Sequence, residues 1–359
     1  MNTLSRGERI TVALAVLFTA LAAALHFMHA GPILGFVASA AALSMLAAVV
    51  GKGTEQIGGR LGTGATGVLQ SALGNLPELF ICVFSLRAGL VDVVKAALIG
   101  SILANSLLVL GIAITVGGLK HGTQRFASES PRMMATLMMI AVTALAVPTL
   151  AHQVHTPAGS HEAALSAACA VVLIVVFLAS IPFSLRSNAP VPSAEVAAVD
   201  AKPAHAPWPM PLAITLLAVA GIAAAFASEW FVDAMLPATQ ALGISEAFTG
   251  LVIVAIAGNA VENVVGIQLA AKNQMDFALS VVLNSSFQIA LLLTPILVLV
   301  SFFVGPTPLT LVLSPLLVAA LALATIVTAF VTFDGESMWA EGVALIGLYC
   351  IIAAAFWWG

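Results

Sequence analysis

Two short polar motifs interrupt an otherwise apolar sequence. The first is Gly74-Asn75-Leu76-Pro77-Glu78; the second is Gly258-Asn259-Ala260-Val261-Glu262. Each puts a carboxylate inside a long apolar run. At mid-bilayer such a group costs about 2.5–3.5 kcal/mol on insertion scales, so an intramembrane carboxylate is functional by default. Together Glu78 and Glu262 carry a charge of −2 when ionised, enough to hold one divalent cation or two protons. Asn75 and Asn259 can add amide oxygens. Gly74 and Gly258 weaken helix propagation, and Pro77 removes a backbone donor, so carbonyls near each break can face an ion. An oxygen-rich site containing carboxylates suits a hard cation such as Ca²⁺.

Further polar residues follow each motif. Ser101 and Asn105 lie in the next apolar segment of the first half, and Ser285 and Gln288 in that of the second. The spacing is constant: Gly258, Glu262, Asp276 and Ser285 each lie 184 residues after Gly74, Glu78, Asp92 and Ser101. These polar groups are candidate site lining, although such residues also join membrane helices by packing. Glu55 and Glu229, near helix ends, are candidates for a proton or cation entry path, with a solvated helix end as the plainer reading. Asp92 and Asp276 precede helices, where N-capping is expected. His152, His155 and His161 read as a solvated loop, with zinc as the alternative.

Those residues must be positioned by membrane-spanning helices. The chain has 359 residues, 61% hydrophobic and only 8% charged, with mean hydropathy +1.11. Soluble domains carry about 25% charged residues. Continuous apolar runs of about 20 residues indicate a polytopic helical membrane protein rather than an alternating β-barrel. A net charge of −4 with no basic stripe excludes nucleic acid as a partner. Cys82, Cys169 and Cys350 show no metal or disulfide spacing. Tyr349, Trp357 and Trp358 read as interface anchors. Nothing points to a resident cofactor, and the oligomeric state is left open.

The runs divide the chain into about eleven transmembrane helices. Residues 1–30 hold one N-terminal helix, 31–185 a first unit of five, 186–209 a Pro-, Ala- and Ser-rich cytoplasmic linker, and 210–359 a second unit of five. With the N-terminus in the cytoplasm, ten of the twelve Lys and Arg face inside, leaving Arg87 and Lys95 outside. That matches the positive-inside rule. A unit repeated after five crossings is inverted, and inverted repeats are characteristic of secondary transporters with midplane sites. The expected fold class is therefore all-α, one N-terminal helix plus two inverted five-helix repeats.

The motifs also carry a family resemblance. Gly74-Asn75-x-x-Glu78-Leu79, Phe84-Ser85-Leu86-Arg87-Ala88-Gly89-Leu90 and Gly100-Ser101-Ile102-Leu103-x-Asn105 resemble the first conserved repeat of the Ca²⁺/H⁺ exchangers in the calcium/cation antiporter superfamily. Ser228-Glu229, Gly258-Asn259-Ala260-x-Glu262, Lys272-Asn273-Gln274-x-Asp276 and Ser285-Ser286-x-Gln288 resemble the second. The resemblance runs from about residue 50 onward and includes Thr54-Glu55-Gln56. It implies eleven helices, a cytoplasmic N-terminus and cation export driven by inward protons, with Glu78 and Glu262 as paired cation carboxylates. Asn263 stands where the family usually has His, and Pro77 is more like the sodium/calcium branch.

Other classes remain as alternatives: a Na⁺-coupled Ca²⁺ exchanger, a Na⁺(K⁺)/H⁺ antiporter of the same fold, or a channel. An intramembrane enzyme would need a metal-base or nucleophile motif such as His-Glu-x-x-His or Gly-x-Ser-x-Gly, and neither occurs. The short tails suggest a prokaryotic inner membrane.

Overall fold

A computed structural model of the chain describes residues 4–61, 73–186 and 208–358. The body of the linker, residues 187–207, and the segment before the first motif, 62–72, lie outside the described residues.

Fifteen α-helical elements are used below. They are α1 Arg6–Phe27, α2 Pro32–Leu61, α3 Leu76–Arg87, α4 Val91–Leu103, α5 Leu110–His121, α6 Glu129–Gln153, α7 Glu162–Arg186 and α8 Met210–Leu242. The second half continues with α9 Glu246–Phe248, α10 Ala255–Gly258, α11 Ala260–Ala270, α12 Met275–Gln288, α13 Thr294–Val304, α14 Pro315–Val331 and α15 Trp339–Ala355. Short π-helical turns join α4 to α5 (Ala104–Val109), α9 to α10 (Thr249–Val254) and α12 to α13 (Ile289–Leu293). Among the described residues, seven helices are long and apolar enough to cross a membrane. An eighth is the pair Glu246–Gly258 and Glu262–Ala270, bent by 67°. Many large apolar side chains point outward, including Phe303, Phe330 and Ile351. A surface of that kind faces lipid, and the chain is an integral membrane protein.

The interior falls into two apolar clusters. One joins α1, α2 and α8 and includes a Phe36–Phe231 stack with centroids 4.6 Å apart. The other joins α4, α5, α6, α7 and the helices from α11 to α15. Ile81, Val93, Ala97 and Val254 from the motif-bearing elements belong to the first cluster, while Cys82, Leu98 and Leu251 belong to the second. The motif helices therefore run between the two.

Where helices cross closest, glycine removes the obstacle. A Cβ on Gly100 of α4 would lie 2.5 Å from the Leu251 Cα, and one on Gly250 would lie 2.5 Å from the Val93 carbonyl oxygen. Small residues of this kind let membrane helices approach backbone to backbone.

Outside the helices the chain is not purely α. Gln124–Arg125 pairs antiparallel with Glu336–Ser337, in the register Gln124 with Ser337 and Arg125 with Glu336. Segment 305–314 is extended, and Leu309, Leu311 and Leu313 are buried in alternation. Its backbone is satisfied by hydroxyls from neighbouring helices. Leu309 N donates to Ser301 Oγ (2.7 Å), Leu311 N to Ser166 Oγ (2.9 Å) and Leu313 N to Thr149 Oγ1 (2.8 Å). Thr149 also donates to the Leu311 carbonyl at 3.0 Å. Thr149→Val strands both backbone groups, at about 1–3 kcal/mol each. Thermal unfolding of the detergent-solubilised variant should show a clearly lowered midpoint, and an unchanged midpoint would refute the assignment.

Several expectations need correction here. Tyr349 is buried in the core instead of anchoring the interface, whereas Trp358 is 84% exposed. Asp92 does not cap α4: its N-cap is Leu90 without a side-chain bond. Asp92 is instead 4.0 Å from Lys95. Asp276 does not cap α12 either, and its oxygen accepts from the Ala127 amide of a distant loop at 2.6 Å. The helix register puts each carboxylate in the first turn, two residues past the capping position. His152 does more than face solvent, since its Nδ1 lies 2.6 Å from the Glu162 carboxylate.

Candidate functional site

Both motifs break their helices in the same way. Asn75 has φ −92°, ψ 17°, and Asn259 has φ −108°, ψ 19°. Both lie near the sparsely populated bridge region, and neither side chain caps the helix that follows. Pro77 falls in the first turn of α3, where its missing N–H costs nothing. The freed carbonyls are taken up locally. Asn75 O accepts from Leu79 N (2.9 Å), Asn259 O from Asn263 N (3.1 Å), and Ala255 O from Asn259 N and Nδ2. The breaks therefore act mainly by aiming side chains.

Those side chains form one directed chain of hydrogen bonds across five elements. Asn105 Nδ2 donates to Ser285 Oγ at 2.9 Å. Ser285 donates to Asn259 Oδ1 at 3.3 Å. Asn259 Nδ2 donates to Ser101 Oγ at 3.0 Å, and Ser101 donates to Glu78 Oε1. Beside it, Asn75 Nδ2 donates to Gln288 Oε1 at 3.4 Å. The donors along this chain all point toward Glu78. The chain passes from the first half to the second and back, so neither half could build it alone.

Burial separates the two carboxylates. Glu78 is fully buried and its Oε2 has no hydrogen-bond partner; the same is true of Asn105 Oδ1, on a side chain 1% exposed. Buried oxygens left unpaired are costly, and two such acceptors in one polar cluster suit a cation. Glu262, three residues beyond Asn259 in the first turn of α11, is half-buried. Gly258 lets α10 press against Glu78: a Cβ there would lie 3.4 Å from the Glu78 Cβ. Gly74 sits half-buried in the first break.

The structure thus brings together Glu78, Asn75, Asn259, Ser101, Asn105, Ser285 and Gln288, with Gly258 packed against them. It does not join Glu55 or Glu229 to that hydrogen-bonded chain. Glu55 lies half-buried near Lys52 and Glu8 at the end of α2, and Glu229 is half-buried on α8. Three residues outside the candidate site set support it. Ser106 and Ser286 meet at 3.2 Å, and Thr328 of α14 donates to the Ser106 carbonyl at 3.2 Å. The π-turn at Ala104–Val109 displaces that carbonyl from the regular ladder. Ser286 could have been found from its place beside Ser285; Thr328 carried no local signal.

A polytopic helical membrane protein with two broken helices and a buried acidic, amide- and hydroxyl-lined centre is of the membrane exchanger class. The model of the family described as sodium/calcium exchanger protein matches residues 31–186 and 212–358, and the chain belongs to that family. It is 35% identical over 347 residues to the Ca(2+)/H(+) antiporter of Aphanothece halophytica, covering 92% of each chain. It is 34% identical over 315 residues to the Ca(2+)/H(+) antiporter ChaA of Bacillus subtilis strain 168, covering 87% of this chain and 88% of that protein. Among solved structures, native YfkE superposes with a TM-score of 0.81 at 30% identity, covering 97% of this chain and 99% of that one. The H+/Ca2+ exchanger CAX shares the fold at a TM-score of 0.73 and 14% identity, covering 96% and 92%.

Proposed function

We propose that the protein is a secondary antiporter that exchanges Ca²⁺ for H⁺ across the membrane through Glu78 and Glu262. The observation that supports this reading is the buried cluster of amides and hydroxyls that links Glu78 of the first half, through Ser101, to Asn259 of the second, three residues before Glu262. Ionised, the pair carries −2; one Ca²⁺ or two protons neutralise it. A neutral site can be occluded in low dielectric, while the empty ionised site is costly to bury. Exchange follows because the two loads compete for the same oxygens. Asn75, Asn259, Ser101, Asn105, Ser285 and Gln288 complete the shell, Gly74 and Gly258 shape it, and Glu55 and Glu229 lie on the proton path to it. The relatives' names support this choice of ions.

The finer architecture belongs to the same proposal. The chain has eleven crossings, one N-terminal helix followed by two inverted units at 31–185 and 210–359, joined by a cytoplasmic linker at 186–209. The matching backbone at Asn75 and Asn259 supports the repeat. So do the π-turns at Ala104–Val109 and Ile289–Leu293, which fall about 184 residues apart. The N-terminus is cytoplasmic and the membrane is a prokaryotic inner membrane.

Everted vesicles holding an acid-inside pH gradient test the function. Added Ca²⁺ should dissipate the gradient in Na⁺-free buffer, and less Ca²⁺ should be needed as the external pH rises, because fewer protons compete. A strict Na⁺ requirement would replace this reading with Na⁺-coupled exchange. Dissipation by Na⁺ or K⁺ alone would replace it with a monovalent cation/proton antiporter, and Ca²⁺ flux without proton movement with a channel.

A further inference from the structure

The loop after α5 reaches across to the hairpin that carries Glu262. His121 Nε2 lies 3.1 Å from the Ala271 carbonyl. Gln124, only 2% exposed, donates from Nε2 to the Ala270 carbonyl (3.4 Å) and to Asn273 Oδ1 (3.3 Å). The Ala127 amide donates to Asp276 Oδ1 at 2.6 Å. The carbonyls at 270 and 271 lie at the end of α11, where the helix itself supplies no donor; Ala270 O also accepts from Asn273 N of the turn at 3.0 Å. Asp276 opens α12. One loop from the first half therefore holds both ends of the α11–α12 turn in the second.

The same loop is braced from behind. Gln124 and Arg125 pair with Ser337 and Glu336, Phe126 N donates to Gly335 O at 2.9 Å, and Arg125 Nε lies 3.0 Å from Glu336 Oε1. The arrangement recurs at the other end of the molecule with the halves exchanged. Segment 305–314 of the second half crosses the α3–α4 turn. A Cβ on Gly305 would lie 3.1 Å from the Leu86 carbonyl, and Lys95 Nζ donates to the Val312 carbonyl at 2.8 Å. The positions correspond by the 184-residue offset: Leu86 with Ala270, His121 with Gly305. The chemistry differs. The first clasp is closed by polar side chains and a backbone amide around the buried Gln124, the second by buried hydroxyls and one lysine.

We propose that Asp276, with Gln124, is a positioning residue for transport: the clasp fixes the α11–α12 hairpin and so sets the cation affinity of the site from the face the clasp occupies. Glu262 lies eight residues before Ala270 on the same helix, about 12 Å along its axis, and Ser285 lies nine residues beyond Asp276. A freed turn lets α12 slide against Asn259 and Asn105, which meet Ser285 at 3.3 and 2.9 Å. This inference rests on the paired-carboxylate reading and on the cytoplasmic placement of the clasp.

The test is half-saturation by Ca²⁺ measured separately in everted vesicles, which expose the cytoplasmic face, and in right-side-out vesicles. Loss of a hydrogen bond to a charged group predicts about a tenfold rise at the cytoplasmic face for Asp276→Ala. The value at the outer face and the maximal rate should stay within twofold. Asp276→Asn keeps an acceptor oxygen and should recover most of the affinity. Gln124→Ala should repeat the effect, and serves if Asp276→Ala is not recovered in the membrane. Lys95→Met should show the reverse pattern, with affinity lost from outside only. Equal changes at both faces, no change at either, or no rescue by Asp276→Asn would overturn the proposal. Normal transport by Glu78→Gln and Glu262→Gln would instead sink the carboxylate reading, a separate result in the same assay.

Discussion

Glu78→Gln abolishes Ca²⁺-driven proton release from everted vesicles, by at least about a hundredfold, while the protein remains folded and inserted. The substitution keeps shape and hydrogen bonding, since the amide oxygen can still accept from Ser101. It removes one of two negative charges from a fully buried position. A Ca²⁺ ion held by Glu262 alone would carry a net +1 into low dielectric. Leaving one buried charge uncompensated costs about 3–5 kcal/mol, which is more than two decades in affinity. Glu262→Gln should fail for the same reason. Transport at even a tenth of the original rate in either variant would show that the charge pair is not the cation site. Equilibrium ⁴⁵Ca²⁺ binding to purified protein separates lost binding from lost movement, and both variants should lose binding.

The second large effect comes from a single methyl group that touches no ion. Gly100→Ala places a Cβ 2.5 Å from the Leu251 Cα, where ordinary contact begins near 3.4 Å. The neighbour is backbone, which cannot rotate aside, so α4 must retreat from the 249–254 turn by roughly 1 Å, and overpacking of that kind costs about 1–3 kcal/mol. Ser101 moves with it. The Asn259 Nδ2 to Ser101 Oγ bond, now 3.0 Å, would stretch beyond useful hydrogen-bonding range, breaking the chain at its middle. Transport should fall at least tenfold and the thermal midpoint should drop. Gly221→Ala is the control, because a Cβ there meets nothing within 4 Å. It should leave both properties unchanged. If Gly100→Ala behaves like Gly221→Ala, the close crossing does not position Ser101.

Both effects trace to the same design. The polar residues of each half are held in place by the other half, through the directed chain from Asn105 to Glu78 at the centre and through loop clasps toward the ends. Such interleaving explains why the deepest part of the protein tolerates so many polar groups. A serine or asparagine there has a partner supplied by an element distant in sequence, so its desolvation is offset.

Much of this was legible before any coordinates. Composition alone required a membrane protein, because 8% charged residues cannot cover a water-facing surface. The carboxylates marked themselves as candidates because an acid in an apolar helix needs a function. The constant spacing of 184 residues made the two motifs partners. These are local or periodic properties, and sequence displays them directly. Other features depended on which element packs against which. Tyr349 looks like an interfacial anchor beside Trp357 and Trp358, yet α15 turns it toward the core. Asp276 looks like a helix cap, yet a loop 149 residues away presents a backbone amide to it. Thr328 gives no signal until a π-turn offers it a displaced carbonyl. The sequence by itself determined that two acids lie in apolar segments of a membrane protein. Only the tertiary structure decided that one would be sealed and the other half-open, because burial is a property of neighbours and not of the residue.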